Sequence, residues 1–298
     1  YVYCFTCILA GPAFEYRDYE KAIDGSAYTT ADGKVKKPTA VLAGLYRLLV
    51  GVACLALHMT ISPLFPVKSL YDRGLLATLT YPALFGRLTM SMISDRMKFY
   101  FAWKVAEGAS IMGGFGFEGY TKEGKVVGWK GVENIDILGV ETASSITVLL
   151  RHWNKRTQGW LERYTYARSG RSLVATYFIS ALWHGLYPGF FLMFYMLAFL
   201  TTIDRLLKAK LNPLFVPGFD GRDMSTYPKG MGGSVYWLLC IAGTQVFNNY
   251  GAQAFSMGSL ENSLTAFGGH YFVPHIILLS IYLLLIVVPG PKKSAKKE

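Results

Sequence analysis

Residues 173–203 read LVATYFISALWHGLYPGFFLMFYMLAFLTTI, and this stretch decides the fold class. Its 31 residues include no Lys, Arg, Asp or Glu. A continuous helix of this length would measure about 46 Å, which exceeds the roughly 30 Å hydrocarbon core of a bilayer. Because Gly185, Pro188 and Gly189 interrupt the stretch, the pattern favours a bent or re-entrant membrane segment over one straight helix.

The whole chain has the composition of a membrane protein. Of its 298 residues, 52% are hydrophobic and only 16% are charged, and the mean hydropathy is +0.29. Soluble domains carry about 25% charged residues. This composition excludes a disordered chain, a collagenous fibre and a disulfide scaffold. The cysteines lie in apolar surroundings and are interpreted as buried thiols rather than a redox or metal site: Cys4, Cys7, Cys54 and Cys240.

Further apolar segments predict an all-α polytopic membrane protein. The predicted spans are 41–62, 74–93, 99–117, 234–256 and 270–289. The third is weaker, because Lys104 and Glu107 lie within it and two charges in a span are costly unless they face protein or water. The segments between the spans are predicted to be water-exposed loops: 15–38, 118–136, 204–233 and the connector 257–269.

The distribution of charge predicts a topology. The net charge is +11, with 30 Lys and Arg against 19 Asp and Glu. The basic residues flank the spans instead of forming one soluble face, so nucleic acid is not an expected partner. The tail 291–298 and the segments 151–172 and 204–233 are rich in Lys and Arg and are predicted to be cytoplasmic. The connector 257–269 has none and is predicted on the other side.

His184 is the first candidate for chemistry. Tyr177, Ser180, His184 and Tyr187 follow intervals of 3, 4 and 3 residues, which predicts a polar stripe on one helical face. Such a stripe must face protein or a cavity. The histidine could serve as a general base near neutral pH or simply hydrogen-bond a neighbouring helix, and the residues alone leave both roles open.

A second feature is the basic, aromatic segment that begins at Trp153. Trp153, Thr157, Trp160 and Tyr164 share one face of a predicted amphipathic helix, which is typical of a helix at a membrane interface. Asn154 alone would be a turn or cap residue. The other histidines are predicted to be a solvent-facing residue, His152, and interfacial anchors, His58, His270 and His275.

Two motifs together resemble the membrane-bound O-acyltransferase (MBOAT) family, and within it the lysophospholipid acyltransferase branch. Residues 153–168, WNKRTQGWLERYTYAR, match the family form W-N-x-x-T-x-x-W-L. Residues 180–191, SALWHGLYPGFF, match S-A-x-W-H-G-x-x-P-G-Y, with Phe190 where many members have Tyr. Gly11-Pro12-x-Phe14 is similar to the family's G-P-x-F segment.

The resemblance implies an MBOAT-like helical bundle with an intramembrane catalytic cavity, and residues 1–298 as the C-terminal portion of one such transmembrane domain. It implies transfer of a long acyl group from acyl-CoA to the hydroxyl of a lysophospholipid, without metal or another cofactor, in the endoplasmic reticulum membrane. The expected partners are these substrates and membrane lipid, and a homo-oligomer is left open.

The resemblance also implies roles for individual residues. The family's catalytic His falls on His184 and its Asn on Asn154. Further substrate-binding residues are expected in the two motifs and, for Tyr177, in the polar stripe that precedes the second motif: Trp153, Lys155, Arg156, Thr157, Trp160, Arg163, Tyr177, Ser180, Trp183 and Tyr187. Two alternatives remain, namely an MBOAT enzyme that acts on diacylglycerol, a sterol or a protein, and a transporter that uses His184 as a proton site.

Overall fold

A computed structural model describes residues 3–215 and 230–288 of the chain. Within these ranges the regular structure is helical, apart from two isolated bridges, Thr29 with Val35 and Tyr120 with Val126. The predicted all-α class is therefore confirmed. The helices are α1 (Tyr16–Asp24), α2 (Val41–Ile61), α3 (Arg73–Leu76), α4 (Tyr81–Met112), α5 (Ile137–Glu141), α6 (Ile146–His152), α7 (Lys155–Leu161), α8 (Leu173–His184), α9 (Pro188–Lys210), α10 (Asn212–Phe215), α11 (Gly230–Met257), α12 (Leu260–Gly269) and α13 (Val273–Val287).

The contacts divide the chain into two compact units. Unit 1 consists of Tyr1–Phe65, Ile93–Leu138 and Leu150–Tyr164. Unit 2 consists of Pro66–Met92, Gly139–Leu149 and Thr165–Glu298.

In unit 1, glycines let α2 and α4 approach closely. A Cβ on Gly108 would lie 2.8 Å from the carbonyl oxygen of Gly44, and one on Gly44 would lie 2.5 Å from Met112. Small residues that bring two backbones together are typical of helix packing in membranes. An aromatic core that includes Phe14, Tyr28, Phe115 and Trp129 completes the unit.

In unit 2, the apolar stretch 173–203 forms a hairpin of two helices. The helix α8 ends before Gly185, which has a φ of 131°, and α9 begins at Pro188. The two helices then pack together: the Tyr177 hydroxyl lies 2.8 Å from Thr201 Oγ1, and the Phe178 and Phe191 rings are 5.9 Å apart. The bent form is confirmed, because these pairs could not meet in a straight helix.

The two spans predicted at 74–93 and 99–117 are wrong as separate helices. The structure has one continuous helix, α4, from Tyr81 to Met112. Its charged residues pair with each other along the helix instead of ending it: Lys98 contacts Asp95 at 2.5 Å, and Lys104 contacts Glu107 at 2.7 Å. Pairs at i and i+3 stabilise a helix, so the polar run between the two predicted spans is helical as well.

Two segments predicted as loops also contain helices. The segment 15–38 contains α1, and the connector 257–269 contains α12, whose N-terminus is capped by Ser259. The helix α13 is shorter than the predicted span 270–289 and is bent by 80° from α12. The connector was predicted as a loop because it lacks Lys and Arg, but charge alone does not distinguish a loop from a helix. The signal for the helix was Ser259, a residue type that caps helix N-termini. The tail 291–298 and part of 204–233 lie outside the described residues.

Among the described residues, α2 and α9 are long and apolar enough to cross a membrane. The bent pair α12 and α13 would make a third span if it is counted as one. The helix α11, predicted as the span 234–256, is not in this group; it carries buried amides at Asn248, Asn249 and Gln253.

Candidate active site

His184 is the last residue of α8, in unit 2. Its Nδ1 lies 2.7 Å from the carbonyl oxygen of Ser180, one turn earlier in the same helix. A carbonyl oxygen can only accept, so we assign the proton of the neutral ring to Nδ1. The Nε2 atom then carries the lone pair. This arrangement fixes the tautomer that a general base needs.

Aromatic rings surround the His184 imidazole. Ring centroids of Trp183, Phe194 and Phe255 lie 4.6, 5.0 and 5.3 Å from its own, and Phe190 lies at 6.2 Å. Edge-on and tilted contacts of this kind hold a ring by packing rather than by charge. Phe190 therefore replaces the family's usual Tyr at a position in ring contact with the histidine.

The predicted polar stripe is correct for three of its four members. Tyr177, Ser180 and His184 lie on α8, and Ser180 is buried. Tyr187 does not extend the stripe, because Gly185 ends the helix; Tyr187 precedes α9 and is 62% exposed. Trp183 is also exposed on α8.

Asn154 lies in unit 1, between α6 and α7. Its backbone is left-handed, with φ 44° and ψ 49°, and its carbonyl oxygen accepts the N–H of Gln158 in the first turn of α7. It therefore occupies the cap position that its residue type suggests. Within the described structure, however, its side chain makes no capping hydrogen bond. The amide group is thus not used to begin the helix.

The predicted amphipathic helix starting at Trp153 is wrong in its extent. The helix α7 begins only at Lys155, and a single wider π turn, Glu162–Tyr166, follows it. The left-handed Asn154 separates Trp153 from the helix, so Trp153 does not share a face with Thr157. Its ring packs on α4 instead, 5.0 Å from the Trp103 ring.

Three basic residues expected to bind substrate each contact an acceptor within unit 1. Lys155 Nζ donates to Glu133 Oε1 at 2.6 Å, and Arg156 donates to the Lys130 carbonyl oxygen at 2.9 Å. The Arg163 guanidinium pairs with Glu15. Burial alone would raise the pKa of Glu133, but the hydrogen bond and positive charge of Lys155, with nearby Arg47 and Lys104, hold it below its usual value.

The remaining expected residues of this segment stay near the surface. Thr157 is partly buried in α7, and the exposed Trp160 lies 6.1 Å from the Tyr164 ring. Asn154 belongs to unit 1 and His184 to unit 2.

The other histidines do not all match their predicted surroundings. His270 is fully buried against the rings of Phe85 and Tyr250, so it is not an interfacial anchor. His275 Nδ1 lies 2.7 Å from the Tyr250 hydroxyl. His152 is partly exposed, as expected, and its Nδ1 lies 3.0 Å from Asp136. Isolated histidines in sequence give no sign of such tertiary partners.

Sequence reasoning also missed a buried polar cluster in unit 1. Glu107 is 0% exposed and Asn134 is 1% exposed. Glu107 accepts the Asn134 N–H, and Asn134 in turn accepts the N–H of Arg156, near Asn154. The signal was present in the two charges inside an apolar stretch, which require protein partners. Among the described residues, no group of three or more His, Cys, Asp or Glu side chains could hold a metal ion.

Comparison with known proteins gives one family. The sequence model described as "MBOAT, membrane-bound O-acyltransferase family" matches residues 1–253. The chain is 33% identical over 308 residues to Membrane-bound glycerophospholipid O-acyltransferase 2 of Rattus norvegicus, covering 99% of this chain and 57% of the relative. It is 30% identical over 310 residues to Lysophospholipid acyltransferase 1 of Arabidopsis thaliana, covering 99% of this chain and 63% of that relative.

A fungal relative shows the same pattern. Lysophospholipid acyltransferase of Schizosaccharomyces pombe is 31% identical over 307 residues, covering 99% of this chain and 58% of the relative. The chain thus spans between 57% and 63% of the length of these three relatives.

Proposed function

We propose, since the chain belongs to the membrane-bound O-acyltransferase family, that this protein is a multi-pass membrane enzyme that acylates lysophospholipids. The donor is a long-chain acyl-CoA, the acceptor is the free hydroxyl of the lysophospholipid, and no metal takes part. Relatives from an animal, a plant and a fungus carry glycerophospholipid or lysophospholipid acyltransferase names, which supports this substrate class over diacylglycerol, sterol or protein acceptors.

One observation carries the chemistry, namely the contact of His184 Nδ1 with the Ser180 carbonyl oxygen, from which the tautomer is assigned. With Nδ1–H bonded to Ser180, the Nε2 lone pair is available to take the proton of the acceptor hydroxyl. The hydroxyl oxygen then attacks the thioester carbonyl carbon and forms the new ester. The carbon–sulfur bond breaks, and the imidazolium returns the proton to the departing CoA thiolate. The proton taken from the hydroxyl thus leaves with the CoA thiol, and the reaction needs no oxidant or reductant.

Asn154 is proposed as the second catalytic residue. Its side chain is not used to cap α7, so its amide N–H could donate to the thioester oxygen as negative charge develops there. The same amide could instead hold the thioester before reaction. The two roles differ in their kinetics, because loss of an oxyanion donor lowers kcat whereas loss of a ground-state contact raises KM.

Among the basic residues, Arg163 is the best candidate for the CoA phosphates. Its ion pair with Glu15 is about half exposed on both sides, and exposed ion pairs contribute only about 0–1 kcal/mol. A phosphate can therefore replace Glu15 at little cost. Lys155 is less accessible and is held by the largely buried Glu133. The other residues of the two motifs that were expected to bind substrate are proposed to line the substrate site.

The proposed location is the endoplasmic reticulum membrane, with the C-terminal tail in the cytoplasm. The support is the basic tail, with four lysines in residues 291–298, and the six Lys and Arg against one Glu in residues 151–171.

The test is release of free CoA thiol by the full-length protein in liposomes. Acyl-CoA alone, a lysophospholipid panel, diacylglycerol and a sterol are supplied in parallel. We expect thiol release that depends on a lysophospholipid. Release only with diacylglycerol or sterol would reassign the acceptor, and proton flux across the liposome without thiol release would favour a transporter.

A further inference from the structure

The loop Glu133–Asp136 contacts the chain on both sides of Asn154. The Asp136 N–H donates to the carbonyl oxygen of His152 at 3.0 Å, and the Lys155 N–H donates to the carbonyl oxygen of Asn134 at 2.8 Å. His152 and Lys155 stand two residues before and one residue after Asn154. The backbone at Asn154 is therefore held from both directions by one loop.

Asn134 also supplies a side-chain contact to α7. Its Oδ1 accepts the Arg156 N–H at 3.2 Å, so one residue satisfies the N–H groups of the first two residues of the helix. The first N–H groups of a helix lack intrahelical partners, and the side chain of the preceding residue usually accepts one. Asn134 accepts these N–H groups instead, which leaves the Asn154 amide without a capping role.

The loop itself is fixed by a fully buried carboxylate on α4. Glu107 Oε1 accepts the N–H groups of Asn134 at 2.8 Å and Ile135 at 3.0 Å. Lys104 Nζ donates to Glu107 Oε2 at 2.7 Å and to the Ile135 carbonyl oxygen at 2.6 Å. A buried charge is costly unless it is paired and hydrogen-bonded. The loop supplies these hydrogen bonds, so the buried pair Glu107 and Lys104 holds the loop in place.

We propose that Asn134, held by Glu107, is a positioning residue for Asn154. It acts by taking over the cap of α7 and by fixing the left-handed backbone of Asn154, so that the Asn154 amide points at a substrate instead of at the helix. The inference rests on the proposed acyltransferase function and on the role of Asn154 in it.

The main test is a double-mutant cycle in the full-length protein, with kcat and KM measured for acyl-CoA and lysophospholipid. Asn134→Ala removes the Oδ1 acceptor and should lower kcat on the order of tenfold with little change in either KM, the size expected when a buried N–H loses its partner. Asn134→Asp keeps an acceptor oxygen and should restore kcat to within about threefold of the wild type.

The cycle combines Asn134→Ala with Asn154→Gly. If Asn134 acts through Asn154, the substitution Asn134→Ala should not lower kcat further once the Asn154 side chain is absent. The kcat of the double variant should therefore equal that of Asn154→Gly alone. Multiplied effects in the double variant would overturn the proposal. An Asn134→Asp variant as slow as Asn134→Ala would overturn it too.

A matched control separates positioning from general damage. Asn212 in unit 2 is another buried asparagine, and its Oδ1 accepts the Tyr236 hydroxyl at 2.6 Å. Asn212→Ala should match Asn134→Ala in loss of thermal stability but keep kcat near the wild-type value. An equal loss of kcat in Asn212→Ala would contradict the positioning role. Absence of acyl transfer in the wild type would instead refute the proposed function, a result that the cycle distinguishes.

Discussion

At the residue scale, the proposed chemistry depends on the His184 imidazole. We expect His184→Ala to lower acyl transfer by a factor on the order of 10²–10⁴, because the proposed general base is missing. The measurement is CoA thiol release at saturating substrates, with size-exclusion profiles to confirm that the variant is folded.

The chain offers a matched control for this substitution. His58 on α2 also has its Nδ1 2.7 Å from a backbone carbonyl oxygen, that of Ser94. His58→Ala removes an imidazole with a similar hydrogen bond but outside the proposed chemistry, and it should keep most of the activity. Wild-type turnover in His184→Ala would refute the assignment.

The left-handed backbone of Asn154 determines how its role is tested. Alanine at a φ of 44° adds backbone strain to the loss of the amide, whereas glycine adopts this conformation freely. We expect Asn154→Gly to lower kcat by roughly 10²–10³ with little change in the KM for acyl-CoA, the effect of losing an oxyanion donor.

The alternative role of Asn154 gives a different kinetic result. If the amide only holds the thioester in the ground state, Asn154→Gly would raise the KM and leave kcat unchanged. Arg163→Ala serves as the comparison variant, since loss of a phosphate contact should raise the KM for acyl-CoA, and this increase should shrink at high salt. A normal kcat in Asn154→Gly would exclude the oxyanion role.

At the scale of elements, the sequence predicts the bent hairpin of α8 and α9 because its breakers are local. Gly185 and Pro188 stop a helix wherever they occur. The surroundings of Glu107 on α4 were not predictable in the same way. Its partner Lys104 lies on the same helix, but the two N–H groups that it accepts lie in a loop more than 20 residues later, and the charge pattern does not indicate which loop supplies them.

The same limit applies to the candidate site. The W-N and W-H-G motifs identify His184 and Asn154 in sequence, but the left-handed Asn154 and the packing of Trp153 on Trp103 result from tertiary contacts. Helical periodicity assumes an unbroken helix, so it placed Trp153 and Tyr187 on faces that they do not occupy.

The buried pair on α4 gives a prediction about stability. Glu107→Ala leaves the ammonium group of Lys104, which is 3% exposed, without its carboxylate, and such losses cost about 3–5 kcal/mol. We expect a clear fall in the thermal unfolding midpoint in detergent. The double variant Glu107→Ala, Lys104→Met removes the unpaired charge and should regain part of that loss. A double variant less stable than Glu107→Ala would show that the uncompensated charge is not the cause.

At the scale of the whole molecule, the question is which sides of the membrane the ends of the spans face. Positive charge near spans marks the cytoplasmic side, and both the tail 291–298 and the segment 151–171 are strongly basic. The connector 257–269 has no Lys or Arg. It is a helix, α12, bent by 80° from α13, so the pair forms either a broken span or a re-entrant loop.

Cysteine labelling in sealed microsomes tests this topology, in a full-length background without the four native cysteines. Thr157→Cys in α7 and Lys293→Cys in the tail should react with a membrane-impermeant maleimide from outside, because both segments carry the excess of Lys and Arg that is typical of cytoplasmic segments. Glu261→Cys, exposed on α12, should react only after the vesicles are opened if the bent pair is a broken span. If Glu261→Cys and Lys293→Cys are both labelled from outside, α12 and α13 form a re-entrant loop. Opposite labelling of Thr157→Cys and Lys293→Cys would overturn the topology, since one basic segment would then lie on the side that basic residues avoid.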